Sequence, residues 1–110
     1  FYLKRNNMEN ERRKIIEDAL SVVDSGDRQL NYGKPEDNFS RIAMYWNDFC
    51  GISKLKASDV AIMMILMKIS RLQNTPHHRD SWLDIIGYAA CGWQCAEKDR
   101  NNDVFTKFDI

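Results

Sequence analysis

DVAIMMILMKISRLQNTPHHRDSWLDIIGYAACGW, residues 59–93, decides how the rest of the chain is read. The turn QNTPHHR divides it into two segments, with helices predicted over 58–72 and 80–98. In the first, Val60, Ala61, Ile62, Met63, Met64, Ile65, Leu66, Met67 and Ile69 leave almost no polar side. A helix of that kind is expected to be buried on most sides, in the domain centre or between subunits. In the second, Trp82, Ile86, Ala89 and Trp93 recur at helical spacing and predict the core side, while Asp80, Asp84, Tyr88, Cys91 and Cys95 project from a different one. Ser58 is a candidate N-cap for the first helix, and Asp80 or Thr75 for the second. Gly87 and Gly92 each cost about 1 kcal/mol against alanine inside a helix, which points to close helix approach.

Working outward, a helix is predicted over 9–24. Ile15, Ile16, Ala19, Leu20, Val22 and Val23 lie on one side, and Gly26 serves as its stop. The polar stretch GDRQLNYGKPEDNF, 26–39, reads as a loop until Pro35, which suits the first turn of a helix over 35–50. That helix carries Phe39, Ile42, Ala43, Trp46, Phe49 and Cys50 on its apolar face, with Asn38, Arg41 and Tyr45 along one edge and Gly51 at its end. Residues 99–110 read as a polar tail that docks loosely, and 1–7 as an extension ahead of Met8. With no strand pattern, the expectation is one all-α domain, a compact bundle of about four helices around a central buried helical hairpin.

Composition narrows the function. Lys+Arg and Asp+Glu both total 16, and the resulting zero net charge argues against a protein that holds extended nucleic acid by a basic footprint. The longest apolar run, 60–67, falls well short of the roughly 20 residues that span a bilayer, so no membrane association is expected. The charged start FYLKRNNMENERRK does not read as a signal peptide. Three cysteines, Cys50, Cys91 and Cys95, form no pairing pattern and suggest a reducing, cytoplasmic compartment. Their spacing, with only His77 and His78 as partners, does not suit structural zinc. No GxGxxG, P-loop, nucleophile elbow or HExxH is present.

The charges on the central helices are the functional clue. An antiparallel hairpin brings Lys68 and Arg71 within reach of Asp80 and Asp84, either as an internal salt-bridge cluster or as a polar pocket. In a pocket, Asp80 and Asp84 can share a divalent cation, usually magnesium with retained waters, while Lys68 and Arg71 hold phosphate oxygens. Asn38, Arg41 and Tyr45 form a second group. They are either an amphipathic edge with a capping asparagine, or an amide that reads a base beside an arginine for phosphate. Asp27, Arg28 and Tyr32 form a third group, either turn chemistry or a lid with an aromatic stack. His77 and His78 sit in an exposed turn, where histidines are more often idle than general bases.

Three blocks in this order, GDRQLNYGKPEDNFSRIAMYW, DVAIMMILMKISRL and HRDSWLDIIGYAACG, resemble a family of small proteins of unknown function found largely in bacteriophages and prophages. The resemblance covers most of the chain, about 27–92. More distantly, the helical layout and DSWLDIIGYA are similar to the all-α nucleoside triphosphate pyrophosphohydrolases of the MazG and dUTPase type. That similarity implies a four-helix unit that forms dimers or tetramers and binds magnesium through carboxylates on two facing helices. Asp80 and Asp84 would be the metal ligands on the later one. Where that family has an E-E-x-x-E run on the earlier helix, this chain has EDNFSRIA, with Glu36 and Asp37 at its start and Asn38 and Arg41 further in. The reading that results is a helical, homo-oligomeric, nucleotide-recognising protein of the bacterial cytoplasm. Arg28, Tyr32, Asn38, Arg41, Lys68, Arg71 and Tyr88 form its nucleotide set, and no catalytic residue is assigned. Its enzymatic form would cleave a (d)NTP between the α and β phosphates. Its non-enzymatic form would sequester a signalling nucleotide or inhibit a host defence protein.

Overall fold

In a computed structural model the backbone is described over 2–109 and the side chains over 10–26 and 30–101. The chain runs through α1 (Tyr2–Val23), α2 (Gly26–Tyr32), α3 (Pro35–Cys50), α4 (Ala57–Asn74) and α5 (Arg79–Asp109), with no strand among the described residues. The all-α expectation holds, and α4 and α5 form the central hairpin with the most extensive contact in the molecule.

The seam of that hairpin is made of small residues. A Cβ placed on Gly92 would stand 2.9 Å from the Ala61 Cβ, so the two backbones meet where neither residue has bulk. Ala57, Val60, Ala61 and Cys95 are buried there together with Phe39 and Ala43 of α3. Ile42, Trp46, Leu55, Met64, Tyr88 and Cys91 pack around them, half-buried. α1 lies along α5, with Val23 Cγ1 3.5 Å from the position a Gly87 Cβ would take. Arg79, at the start of α5, reaches Asp18 of α1 at 2.7 Å.

Helix ends follow local chemistry. Pro35 opens α3, with Glu36 and Asp37 in its first turn, where the positive end of the helix dipole favours carboxylates. Gly51 closes it in the left-handed conformation at φ 67°, and the Ile52 N–H donates to the Asn47 carbonyl at 2.9 Å. The Asn47 side chain then clamps the connection to α4. Its Oδ1 accepts from the Leu55 N–H and its Nδ2 donates to the Leu55 carbonyl, both at 3.0 Å.

Several expectations are corrected. α1 begins well before residue 9 and ends at Val23; Gly26 is not its left-handed stop but the first residue of α2, a short helix inside the stretch read as a loop. The left-handed glycine on that side is Gly33, at φ 76°, between α2 and α3. Lys56 rather than Ser58 caps α4, its N–H donating to Asp59 Oδ2 at 2.8 Å, while Ser58 Oγ donates to Asp99. Neither Asp80 nor Thr75 caps α5. His78 does, its Nδ1 accepting the Ser81 N–H at 3.2 Å and lying 2.7 Å from Ser81 Oγ. This histidine is therefore structural, not idle. The residues read as a loose tail continue α5 to Asp109.

Two corrections concern which faces are buried. Within the single chain α4 is not buried on most sides, which removes the domain-centre form of that expectation: Ile62, Met63, Leu66, Met67 and Ile69 are exposed. On α5 the two sides are exchanged. Trp82 and Trp93 are 50% and 68% exposed, whereas Asp84, Tyr88 and Cys91 are half-buried and Cys95 is fully buried. The reason is the seam, since only the side of α5 carrying Ser81, Gly92 and Cys95 is slim enough to approach α4 this closely. Phe49 and Cys50, expected in the core, are also exposed at the far end of α3.

Candidate ligand cavity

The same choice of faces opens a cavity of about 270 Å³ between α1, the α2–α3 corner, α4 and α5. Ala19, Val22 and Val23 of α1 form one wall, and Leu83, Gly87 and Tyr88 of α5 another. Phe39, Ile42 and Met64 close it on the core side. The Phe39 and Tyr88 rings stand 6.2 Å apart, tilted by 39°, and give the interior an aromatic corner. The lining is mostly apolar with a few polar groups, Tyr32, Asn38, Asp84 and Cys91, which is the usual make-up of a small-molecule site.

Four of the nine residues singled out from the sequence line this cavity: Tyr32, Asn38, Asp84 and Tyr88. Two more stand directly behind them. Lys68 Nζ lies 3.0 Å from Asp84 Oδ2, with both side chains largely withdrawn from solvent. Arg41 Nη2 donates to the Tyr32 carbonyl at 3.2 Å and contacts Asn38 Oδ1 at 3.5 Å, tying the α2–α3 corner to the rim. Arg71 and Asp80 are exposed and join neither the cavity lining nor an ion pair among the described residues. The expected four-charge cluster is thus reduced to the pair Lys68–Asp84. The Arg28 side chain lies outside the described residues.

The arrangement does not suit magnesium. Asp84 already faces an ammonium group, and its intended partner Asp80 points into solvent. Among the described residues no three His, Cys, Asp or Glu side chains gather into one cluster. Of the second acidic pair, Glu36 and Asp37, only Asp37 is engaged in an ion pair among the described residues. Asp37 Oδ1 accepts from Lys98 at 3.3 Å, and Glu36 Oε2 is buried without a hydrogen-bond partner among the described residues.

Two cavity features were missed at the sequence level. Cys91 lines the cavity and stands one turn from Cys95. Cys95 is wholly buried, and burial pushes its thiol from 9.0 up to about 11, with Cys91, Glu36 and Asp99 adding to the rise and Lys98 opposing it. Gly87 is the other: without a side chain it leaves the cavity open beside Val23. Its position on the Asp84–Tyr88–Cys91 side was readable from helical spacing. The inward direction of that side was not.

The described residues thus form an all-α bundle with a mostly apolar cavity, closed by an aromatic pair and edged by a carboxylate held in an ion pair. Residues 14–96 match the family described as Domain of unknown function (DUF6378), and the chain belongs to that family. It is 43% identical over 77 residues to the Gene 55 protein of Mycobacterium phage D29, covering 70% of this chain and 50% of that protein. It is 40% identical over 75 residues to the Gene 55 protein of Mycobacterium phage L5, covering 68% of this chain and 47% of that one. The chain therefore spans about half the length of the curated relatives it matches. No solved structure matches it significantly. The resemblance to a phage family of unknown function is borne out by these matches. Among the described residues no helix is long and apolar enough to cross a membrane.

Proposed function

We propose that this protein recognises a nucleoside-based ligand, the ring seated in the cavity and any phosphates held outside it. The observation that carries the reading is the cavity itself, where the Phe39–Tyr88 corner, Tyr32 and Asn38 converge on one apolar space. At about 270 Å³ it sits at the small end of ligand pockets, which run from about 300 to 1,000 Å³. Such a space suits a base with its sugar better than a whole triphosphate. Arg41 holds Asn38 by its oxygen, which leaves the Asn38 Nδ2 as a donor to a ring acceptor. The Arg41 guanidinium at the rim is placed for a phosphate oxygen.

The non-enzymatic form of this reading is the one we favour, because Lys68 engages the Asp84 carboxylate that a magnesium-dependent hydrolase would need. In that form the protein sequesters a nucleotide in the cytoplasm of a phage-infected bacterium. A homo-oligomer belongs to the same proposal, since Met63, Met67, Trp82 and Trp93 are exposed in the single chain.

The test is calorimetric titration with a panel of nucleosides, mononucleotides, (d)NTPs and cyclic dinucleotides, each with and without magnesium, followed by chromatography of the recovered ligand. Binding without magnesium, the ligand unchanged, and roughly tenfold weaker binding in Asn38→Ala are expected, tenfold being about 1.4 kcal/mol. Pyrophosphate release that needs magnesium and is lost in Asp84→Asn would favour the hydrolase instead. No heat and no thermal shift with any member of the panel would remove both forms.

A further inference from the structure

At 3.6 residues per turn, Trp82, Ile86 and Trp93 share one side of α5, and Ile62, Leu66 and Ile69 share one side of α4. The Gly92–Ala61 and Lys68–Asp84 contacts set the two helices antiparallel, so these sides lie next to each other. α1 meets α5 through Gly87, with the Arg79–Asp18 ion pair at the rim of the apolar side, and α3 meets it through Tyr88 and Lys98. Both approach from the other side. The outer face of the hairpin is therefore an apolar surface that no described residue of another element covers.

Its size is decisive. Ile62, Leu66, Ile69, Trp82 and Trp93, exposed by 41–68%, offer roughly 600 Å² on the areas typical of such side chains, and Met63 and Met67 at the edge bring this to about 800 Å². The largest apolar patch of an ordinary monomer is about 300–600 Å². A standard protein–protein interface buries about 800 Å² on each partner. The interior of the single chain points the same way. Among the described residues the buried apolar set is Ala19, Phe39, Ala43, Ala57, Val60, Ala61, Leu72 and Cys95, half of it alanine. Much of the hydrophobic content of the two central helices is thus left outside.

We infer that this face is where a second copy of the chain docks, the two α4–α5 hairpins packing face to face about a two-fold axis. The second copy is the occupant that fits because the face is uncharged: the positions 62, 66, 69, 82, 86, 89 and 93 carry no ionisable residue. An uncharged surface needs no complementary partner and pairs with itself in a closed, isologous dimer. The ligand cavity opens on the opposite side of α5, so each copy keeps its own cavity accessible. The inference rests on the assembly part of the proposal above and not on the ligand, and a mass measurement separates the two.

Size-exclusion chromatography with light scattering on the 110-residue chain tests it. The wild type is expected at twice the 12.9 kDa chain mass. Leu66→Glu and, separately, Trp93→Glu are expected at the single-chain mass with helical circular dichroism retained, because both side chains are solvent-exposed in the protomer. Any ligand that titrates into the wild-type cavity should bind the single-chain variants with affinity changed by less than about threefold. A monomeric wild type overturns the inference, and so does a dimer that persists when both substitutions are combined. Loss of helical signal in both single variants would also overturn it, because these side chains would then be holding the protomer together.

Discussion

Two glycines on α5 should respond to the same substitution with opposite signs. Helix propensity alone favours alanine over glycine by about 1 kcal/mol at each position. At Gly87 the added Cβ would meet Val23 Cγ1 at 3.5 Å, an ordinary contact, so Gly87→Ala should gain most of that amount. At Gly92 it would meet the Ala61 Cβ at 2.9 Å, well inside the roughly 3.5–4.0 Å at which carbon atoms attract. Neither Cβ has a rotamer that relieves this, so α4 and α5 must move apart along the seam. Overpacking of this kind costs about 1–3 kcal/mol. Gly92→Ala should therefore lose roughly 1 kcal/mol net, a fall of about 4 °C in Tm for a domain of this size. The two variants should differ by about 2 kcal/mol in urea unfolding followed by circular dichroism. Adding Ala61→Gly to Gly92→Ala removes the opposing carbon, and the double variant should be more stable than the sum of the singles predicts. If Gly92→Ala stabilises as Gly87→Ala does, or the double variant is simply additive, the close seam does not exist.

Asn47→Ala should lose about 1–2 kcal/mol in the same assay, because both Leu55 backbone groups lose the Asn47 amide that they bond at 3.0 Å and the α3–α4 connection is unclamped. His78→Ala should lose about 1 kcal/mol through the cap of α5, and His78→Asn or His78→Asp, which can accept the same Ser81 N–H, should recover most of it. The Cys95 thiol, raised from 9.0 to about 11 by burial, favours the folded state fully below pH 9, where the thiol is neutral whether folded or unfolded. Stability should then fall by about 2–3 kcal/mol as the pH rises from about 9 to 11, since the unfolded chain ionises first. Cys95→Ala should flatten that decline in thermal melts across the range, and an unchanged slope would show that another group is responsible.

Much of the fold is legible in the sequence because it rests on local signals. Pro35 with Glu36 and Asp37, and Gly51 at the far end, bound α3 to the residue, and TPHH separates the two hairpin helices. The short α2 was hidden because its seven residues, GDRQLNY, hold too few apolar positions to show a period. The orientation of α5 was misread for a different reason. Periodicity identifies which residues share a side but not which side faces inward, and two tryptophans outweigh a serine, a glycine and a cysteine on any hydrophobicity count. For the cavity, sequence reasoning reached Tyr32, Asn38, Asp84 and Tyr88, because polar and aromatic residues on an otherwise apolar helix stand out. It placed Asp80 with Asp84 because four residues make a helical turn. Asp80, however, lies in the first turn of α5 on a side that faces solvent.

The small-residue seam connects the cavity to the exposed face. A hairpin that closes on Gly92 and Ala61 has no room between its helices for tryptophan, methionine or a second row of leucines, so those side chains must lie on its two outer sides. On one side α1 and α3 reach across, but they touch α5 at separate places, Val23 at Gly87 and Phe39 at Tyr88, and the gap between them is the cavity. On the other side no described residue of another element reaches across, and Ile62, Leu66, Trp82 and Trp93 stay exposed. Widening the seam should therefore disturb both sides together. Gly92→Ala displaces α5 relative to α4, and with it the Lys68–Asp84 pair at the cavity wall and the register of Trp93 against Ile62. A variant that weakened ligand binding and dimerisation in parallel, while Gly87→Ala affected only the cavity, would show that one packing decision sets both surfaces.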